Sequence, residues 1–89
     1  MKLIYKTSSF KRDSKLVVKR GYDIFKLDEV LLKLHFEEPL PTQCRAHLLH
    51  GDWKGYWECH IGPDWLLVYR DFDDHIELAR TGTHGDIFG

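Results

Sequence analysis

The 89-residue sequence predicts an α+β fold: an N-terminal strand and a helical hairpin packed on a mainly antiparallel, twisted sheet of four to five strands. Two observations carry this. Ile24, Leu27, Leu31 and Leu34 are spaced to lie on one helical stripe. Beyond Pro39 and Pro41, aromatic and β-branched residues come in short runs punctuated by Gly, Pro and Asp, as in successive strands. The length leaves room for one domain.

The elements follow in chain order. Leu3-Ile4-Tyr5 marks a strand near Lys2–Thr7. The hydroxyl residues Thr7, Ser8 and Ser9 can cap a first helix, expected from about Ser9 to Arg20. Its Lys11, Lys15 and Lys19 form one ridge, and Gly21 sits just past its end. Asp23 is a plausible N-cap for a second helix reaching Phe36, which Pro39 and Pro41 forbid from continuing. The short turn at Gly21 makes the two an antiparallel pair. Strands are predicted near Gln43–Leu49, Tyr56–Ile61, Trp65–Asp71 and Ile76–Arg80, the last three forming a meander.

Composition narrows the class. With 43% hydrophobic and 13% aromatic residues and a net charge of −1, disorder is not expected. The longest apolar run, Trp65–Tyr69, is far too short for a membrane span. Met1-Lys2 is followed by only three apolar residues, so no signal peptide is read, and a cytoplasmic setting is the expectation. Cys44 and Cys59 are too few for a disulfide framework and are read as buried fillers. The near-neutral total conceals an asymmetry. Residues 1–35 carry nine bases and four acids, a balance of +5; the remainder carries four bases and ten acids, a balance of −6. A basic half is compatible with a polyanion contact on one surface.

Five of the six histidines lie from His47 onward. Imidazoles are the proton carriers suited to neutral pH. Arg80 lies close to His84 in sequence, and Asp64 adjoins Trp65. Imidazole, carboxylate, guanidinium and aromatic surface together suit RNA cleavage. One group deprotonates a 2′-hydroxyl, another protonates the leaving oxygen, and a cation balances the phosphorane-like charge. The competing reading is zinc at Cys44, His47, His50, Cys59 and His60. Strand alternation opposes it, because Cys44 and His47 would face opposite ways, as would Cys59 and His60.

Three segments then carry a family resemblance. They are His47-Leu-Leu-His-Gly-Asp-Trp-Lys-Gly-Tyr56, His60-Ile-Gly-Pro-Asp-Trp-Leu-Leu-Val-Tyr69 and Arg80-Thr-Gly-Thr-His-Gly-Asp-Ile-Phe88. In this order they resemble the YafQ-type toxins of the RelE superfamily of type II toxin–antitoxin systems, over essentially the whole chain. The resemblance implies an mRNA interferase that enters the ribosomal A site and cuts mRNA by 2′-hydroxyl attack, with no metal and no cofactor. It implies a cognate antitoxin as partner, and contact with operator DNA only through that antitoxin.

The family's active-site positions fall on His47, His60, Asp64, Arg80 and His84, and its aromatic positions on Trp65 and Phe88. His84, placed on a flexible tail, is the leading acid or base, with Asp64 or His60 as its proton-transfer partner. Arg80 stabilises the phosphate, His47 positions substrate or shares the proton traffic, and Trp65 and Phe88 stack on bases or close the site. Lys11, Arg12, Lys15 and Lys19 would contact ribosomal RNA, and Lys54 a phosphate. Three departures stand out. Trp57 occupies a position where the family often has Arg; Asp86 places a negative charge near the substrate anion; Asp52 adds another acid. There is also a geometric tension: strict alternation puts Arg80 on the face of Ile76 and Leu78, unless the strand ends or bulges before it. Two other functions suit the same fold, a gyrase-inhibiting toxin of the ParE kind and a weakened module that only binds its antitoxin. The first needs no proton carriers, so the histidines argue against it. Trp57 and Asp86 leave the second open.

Overall fold

The computed structural model describes residues 1–89. Its elements are β1 (Leu3–Lys6), α1 (Ser8–Lys19), α2 (Ile24–His35), β2 (His47–Leu48), β3 (Trp57–Gly62), β4 (Trp65–Asp71), β5 (His75–Gly82) and α3 (His84–Phe88). They form the α+β fold expected of the sequence. The five strands make one sheet in the order β1-β5-β4-β3-β2. β1 runs parallel to β5, and every other pairing is antiparallel.

The helices end where local chemistry ends them. Thr7 caps α1 by accepting from the Phe10 N–H at 3.1 Å. At its C-terminus the Tyr22 N–H reaches the Val17 carbonyl and the Gly21 N–H that of Val18. This double closure requires a left-handed residue, and Gly21 supplies it at φ 84°. Asp23 caps α2 by accepting from the Phe25 N–H. The same double closure recurs after α2, with the costlier Glu37 at φ 57° as its left-handed residue.

β4 is the middle strand and is buried on both faces, which explains its unbroken apolar run. Trp65, Leu67 and Tyr69 join Phe10, Val17, Leu27, Val30 and Leu34 beneath α1 and α2. Leu66 and Val68 face the other way, against Ala79, Ile87, Leu49, Trp53 and Tyr56. This second core was not foreseen; its lid is α3 with the turn before β3.

Three expectations need correction. Gln43–Leu49 is not a strand throughout. Thr42–Cys44 is a single 3-10 turn, Arg45 follows at φ 47°, and only His47–Leu48 pairs with β3. A left-handed residue cannot extend a ladder, so the strand starts late. β5 runs two residues beyond Arg80, to Gly82. The tail is not flexible: Thr83 accepts from the Asp86 N–H, the Asp86 carboxylate accepts from the Thr83 N–H, and this capping box starts α3 at His84.

The tension at Arg80 resolves as a bulge. Tyr69 pairs with Leu78 but Val68 with Arg80, so Ala79 is an extra residue. The inserted residue breaks the alternation that would have left Arg80 on the Ile76–Leu78 face.

Candidate active site

The site is built at one end of the sheet. Pairing puts Glu58 opposite Val68 and His60 opposite Leu66, so both leave β3 on the face away from α1 and α2. Cys59 points the other way, into the core, as alternation requires. β2 sets His47 opposite Glu58 on the same face. The turn after β3 holds Asp64 at φ 47°, a conformation that Asp tolerates better than most residues. α3 then presents His84 to it.

Asp64 and His84 form a coupled pair. One carboxylate oxygen accepts from the His84 backbone N–H at 3.0 Å and lies 2.7 Å from its Nδ1. The backbone bond, with the imidazole second, holds the Asp64 carboxyl below the usual carboxylate range. With Nδ1–H committed to the carboxylate, Nε2 is the ring atom left to exchange a proton with a ligand. Both side chains are exposed, His84 at 57% and Asp64 at 60%. The rings of His60 and His84 are 6.3 Å apart, as are those of His84 and Phe88. A phosphate group can lie between two imidazoles at the first distance and bond to each.

His60 sits deeper. Arg45 Nη2 is 3.5 Å from its Nε2, and a Glu58 oxygen is 4.0 Å from the same atom. Burial, and then the Arg45 cation, push the proton affinity of His60 below the ordinary imidazole value. His47 Nδ1 donates to the Arg45 carbonyl at 2.8 Å, and its Nε2 lies 3.6 Å from Glu58. The buried Glu58 carboxylate therefore underlies both His47 and His60.

Arg80 stands differently from its predicted role. Its Nε donates to Asp13 at 2.6 Å and its Nη2 to the other Asp13 oxygen at 3.2 Å and to the Asp86 carbonyl at 3.2 Å. Asp13 also accepts from the Thr81 N–H. Only Nη1 is uncommitted. Asp86 is no obstacle to an anion, because Arg20 grips it at 2.6 and 3.1 Å and, with the Thr83 N–H, drives its carboxyl far below the usual range.

Trp65 is a correction. It is 4% exposed, donates from Nε1 to Thr81 at 2.9 Å and packs edge-on against Tyr22. A ring buried under the helices cannot stack on a base; it fixes β4 to β5 instead. Phe88 is 41% exposed, beside Trp53 and His84, and keeps an accessible face. Lys54 follows Trp53 on an exposed turn, and Lys11, Arg12, Lys15 and Lys19 are exposed along α1. Trp57 stacks on Tyr69. His75 lies at the far end of β5, against Asp74 and Phe72.

Sequence reasoning missed Arg45, Glu58 and Asp13. Glu58 had a signal, its two-residue spacing from His60, which puts both on one strand face. Asp13 had one too, as the lone acid among Lys11, Arg12 and Lys15. Arg45 had none, since nothing in the sequence marks its left-handed turn. No group of three or more His, Cys, Asp or Glu side chains is arranged to hold a metal ion.

A strand and two helices on a mainly antiparallel sheet give the fold of the class: toxins of the RelE/ParE superfamily from type II toxin–antitoxin systems. The profile described as "Bacterial toxin of type II toxin-antitoxin system, YafQ" matches residues 2–89, and the chain belongs to the YafQ family. It is 39% identical over 84 residues to the mRNA interferase toxin YafQ of Escherichia coli K12, covering 93% of this chain and 91% of that one. Its fold matches the crystal structure of YafQ from E. coli BL21(DE3) with a TM-score of 0.95, at 37% identity and over the whole of both chains. It also matches a chain of the E. coli DinJ–YafQ toxin–antitoxin complex, with a TM-score of 0.91, 38% identity and coverage of 99% of this chain and 98% of that one.

Proposed function

We propose that this chain is a ribosome-dependent endoribonuclease that cuts mRNA in the A site by attack of a 2′-hydroxyl on the adjacent phosphate. A cognate antitoxin silences it, and operator DNA is reached only through that antitoxin. The ribosome as target places it in the cytoplasm; no helix is long and apolar enough to cross a membrane. The observation that carries the reading is the pair of imidazoles 6.3 Å apart, one held by Asp64 and the other beside Arg45.

The two histidines have different environments, and the difference divides the work. His60, with its lowered proton affinity, is neutral near pH 7 and serves as the base that takes the 2′-hydroxyl proton. His84, with its Nδ1–H on Asp64, delivers a proton from Nε2 to the leaving 5′-oxygen. Arg45 offers positive charge beside His60. Arg80 contributes its field and its free Nη1 from behind the site, anchored by Asp13. His47 positions the substrate, Phe88 stacks on a base, and Lys54 meets a phosphate. The α1 ridge of Lys11, Arg12, Lys15 and Lys19 docks on ribosomal RNA.

The test is cleavage of mRNA in a translating extract by the wild type and by His84→Ala, with cut sites mapped by primer extension. Cuts that need ribosomes and vanish in the variant support the reading. Undiminished cleavage by the variant removes His84 from the mechanism, and cuts without ribosomes contradict A-site docking.

A further inference from the structure

A groove of about 730 Å³ opens beside the two histidines, between α2 and the β3–β4 end of the sheet. Lys26 and Lys33 line one wall and Arg45 the other, with His60 and His84 at its edge. These three bases are unpaired, as are Lys6, Lys11, Arg12, Lys15, Lys19 and Lys54, but they alone of that set line the groove. Lys2, Arg20, Arg70 and Arg80 each have a carboxylate within 3 Å. Lys26, Lys33 and Arg45 take part in no ion pair. Glu29 is the one groove carboxylate besides Asp64, and it too is unpaired. The groove thus carries three bases against two carboxylates, a formal surplus of one positive charge, next to the reacting groups.

Arg45 adds a second observation. Its backbone holds φ 47°, a region that glycine enters freely and arginine only at an energetic cost. That turn swings the guanidinium to His60. Lys26 and Lys33 lie seven residues apart on one face of α2, about 10 Å along its axis. This is the length of about three stacked nucleotides at 3.4 Å each. No Phe, Tyr or Trp lines the groove, and the Lys26 and Lys33 wall offers contacts to phosphates.

We infer that this groove holds the phosphates of the single-stranded RNA flanking the scissile bond, on Lys26, Lys33 and Arg45. The inference rests on the endoribonuclease reading and extends it to substrate the histidines do not touch. The groove supplies affinity and alignment without base preference. Substrate then crosses the site from Phe88 on one side to α2 on the other. The groove lies apart from the α1 ridge, so mRNA and ribosomal RNA contact separate surfaces.

The test is single-turnover cleavage on programmed ribosomes, using mRNA in which one phosphate at a time is replaced by an uncharged methylphosphonate. The first three linkages on each side of the cut are covered. The wild type is compared with Lys26→Gln/Lys33→Gln, which keeps both aliphatic stems, and melting curves confirm that the variant folds. With all phosphates intact, the variant cleaves roughly tenfold to a hundredfold more slowly, as expected for loss of two charged contacts. At the linkages held by Lys26 and Lys33, neutralisation slows the wild type about tenfold and the variant not at all, while a linkage held by Arg45 slows both. Equal slowing of both proteins at every linkage overturns the inference while leaving the nuclease intact. A wild type that cuts no ribosome-bound mRNA overturns the reading beneath it as well.

Discussion

Asp13 makes the sharpest prediction. Its carboxylate accepts from Arg80 Nε, Arg80 Nη2 and the Thr81 N–H, at 2.6, 3.2 and 3.1 Å. Its side chain is 13% exposed and that of Arg80 28%. Asp13→Ala strips a mostly buried guanidinium of its partner and leaves a backbone donor unsatisfied. Breaking a fully buried pair costs about 3–5 kcal/mol. Water reaches part of Arg80, so about 2–3 kcal/mol is expected here. For a domain this size that lowers the melting temperature by roughly 10–20 °C. Thermal unfolding followed by circular dichroism reads it. Asp13→Ala/Arg80→Met removes the stranded charge and should recover much of the loss, yet cleave mRNA poorly, because the guanidinium is gone. A shift under 2 °C for Asp13→Ala would refute the reasoning, as would a double variant whose loss equals the sum of the two single losses.

Four further outcomes are expected. His84→Ala should lower the cleavage rate by about 10²–10⁴ with an unchanged melting temperature, since the ring is mostly exposed. If His60 is the base, the acid limb of the rate–pH profile should fall below pH 6.5 and move upward in Arg45→Gln, whose cation depresses His60; an unmoved limb assigns the base elsewhere. Trp65→Phe should cost about 1–2 kcal/mol by removing the donor to the buried Thr81 hydroxyl; lost RNA affinity at full stability would restore the stacking role. The depressed Asp86 carboxyl stabilises the fold above its unfolded value of about 3.9, and the gain disappears as pH falls through the lower folded value. The melting-temperature gap between wild type and Asp86→Asn should therefore narrow from pH 5 to pH 2.5, and a constant gap contradicts the assignment.

The fold was legible because its signals are local. The α2 stripe, Gly21 beyond α1, the prolines after α2 and the doubly buried run of β4 each follow from backbone sterics or burial within a few residues. The capping box of α3 is equally local, but the sequence shows Asp86 only as a negative charge near His84, and its partner Arg20 is brought to it by the fold. Trp65 shows the opposite hazard: an aromatic in a motif looks like a binding platform until the helices are seen to cover it.

By itself the sequence determined the two long helices and the β3–β5 meander and named the candidate proton carriers, because residue type and near-neighbour spacing decide those. Only the tertiary structure decided which charges are free. Arg80 is committed to Asp13, 67 residues away, and Asp86 to Arg20, 66 residues away, while Lys26, Lys33 and Arg45 stay unpaired beside the histidines. Charge acts through space and falls with distance between atoms, so its balance belongs to the fold and not to the order of residues along the chain.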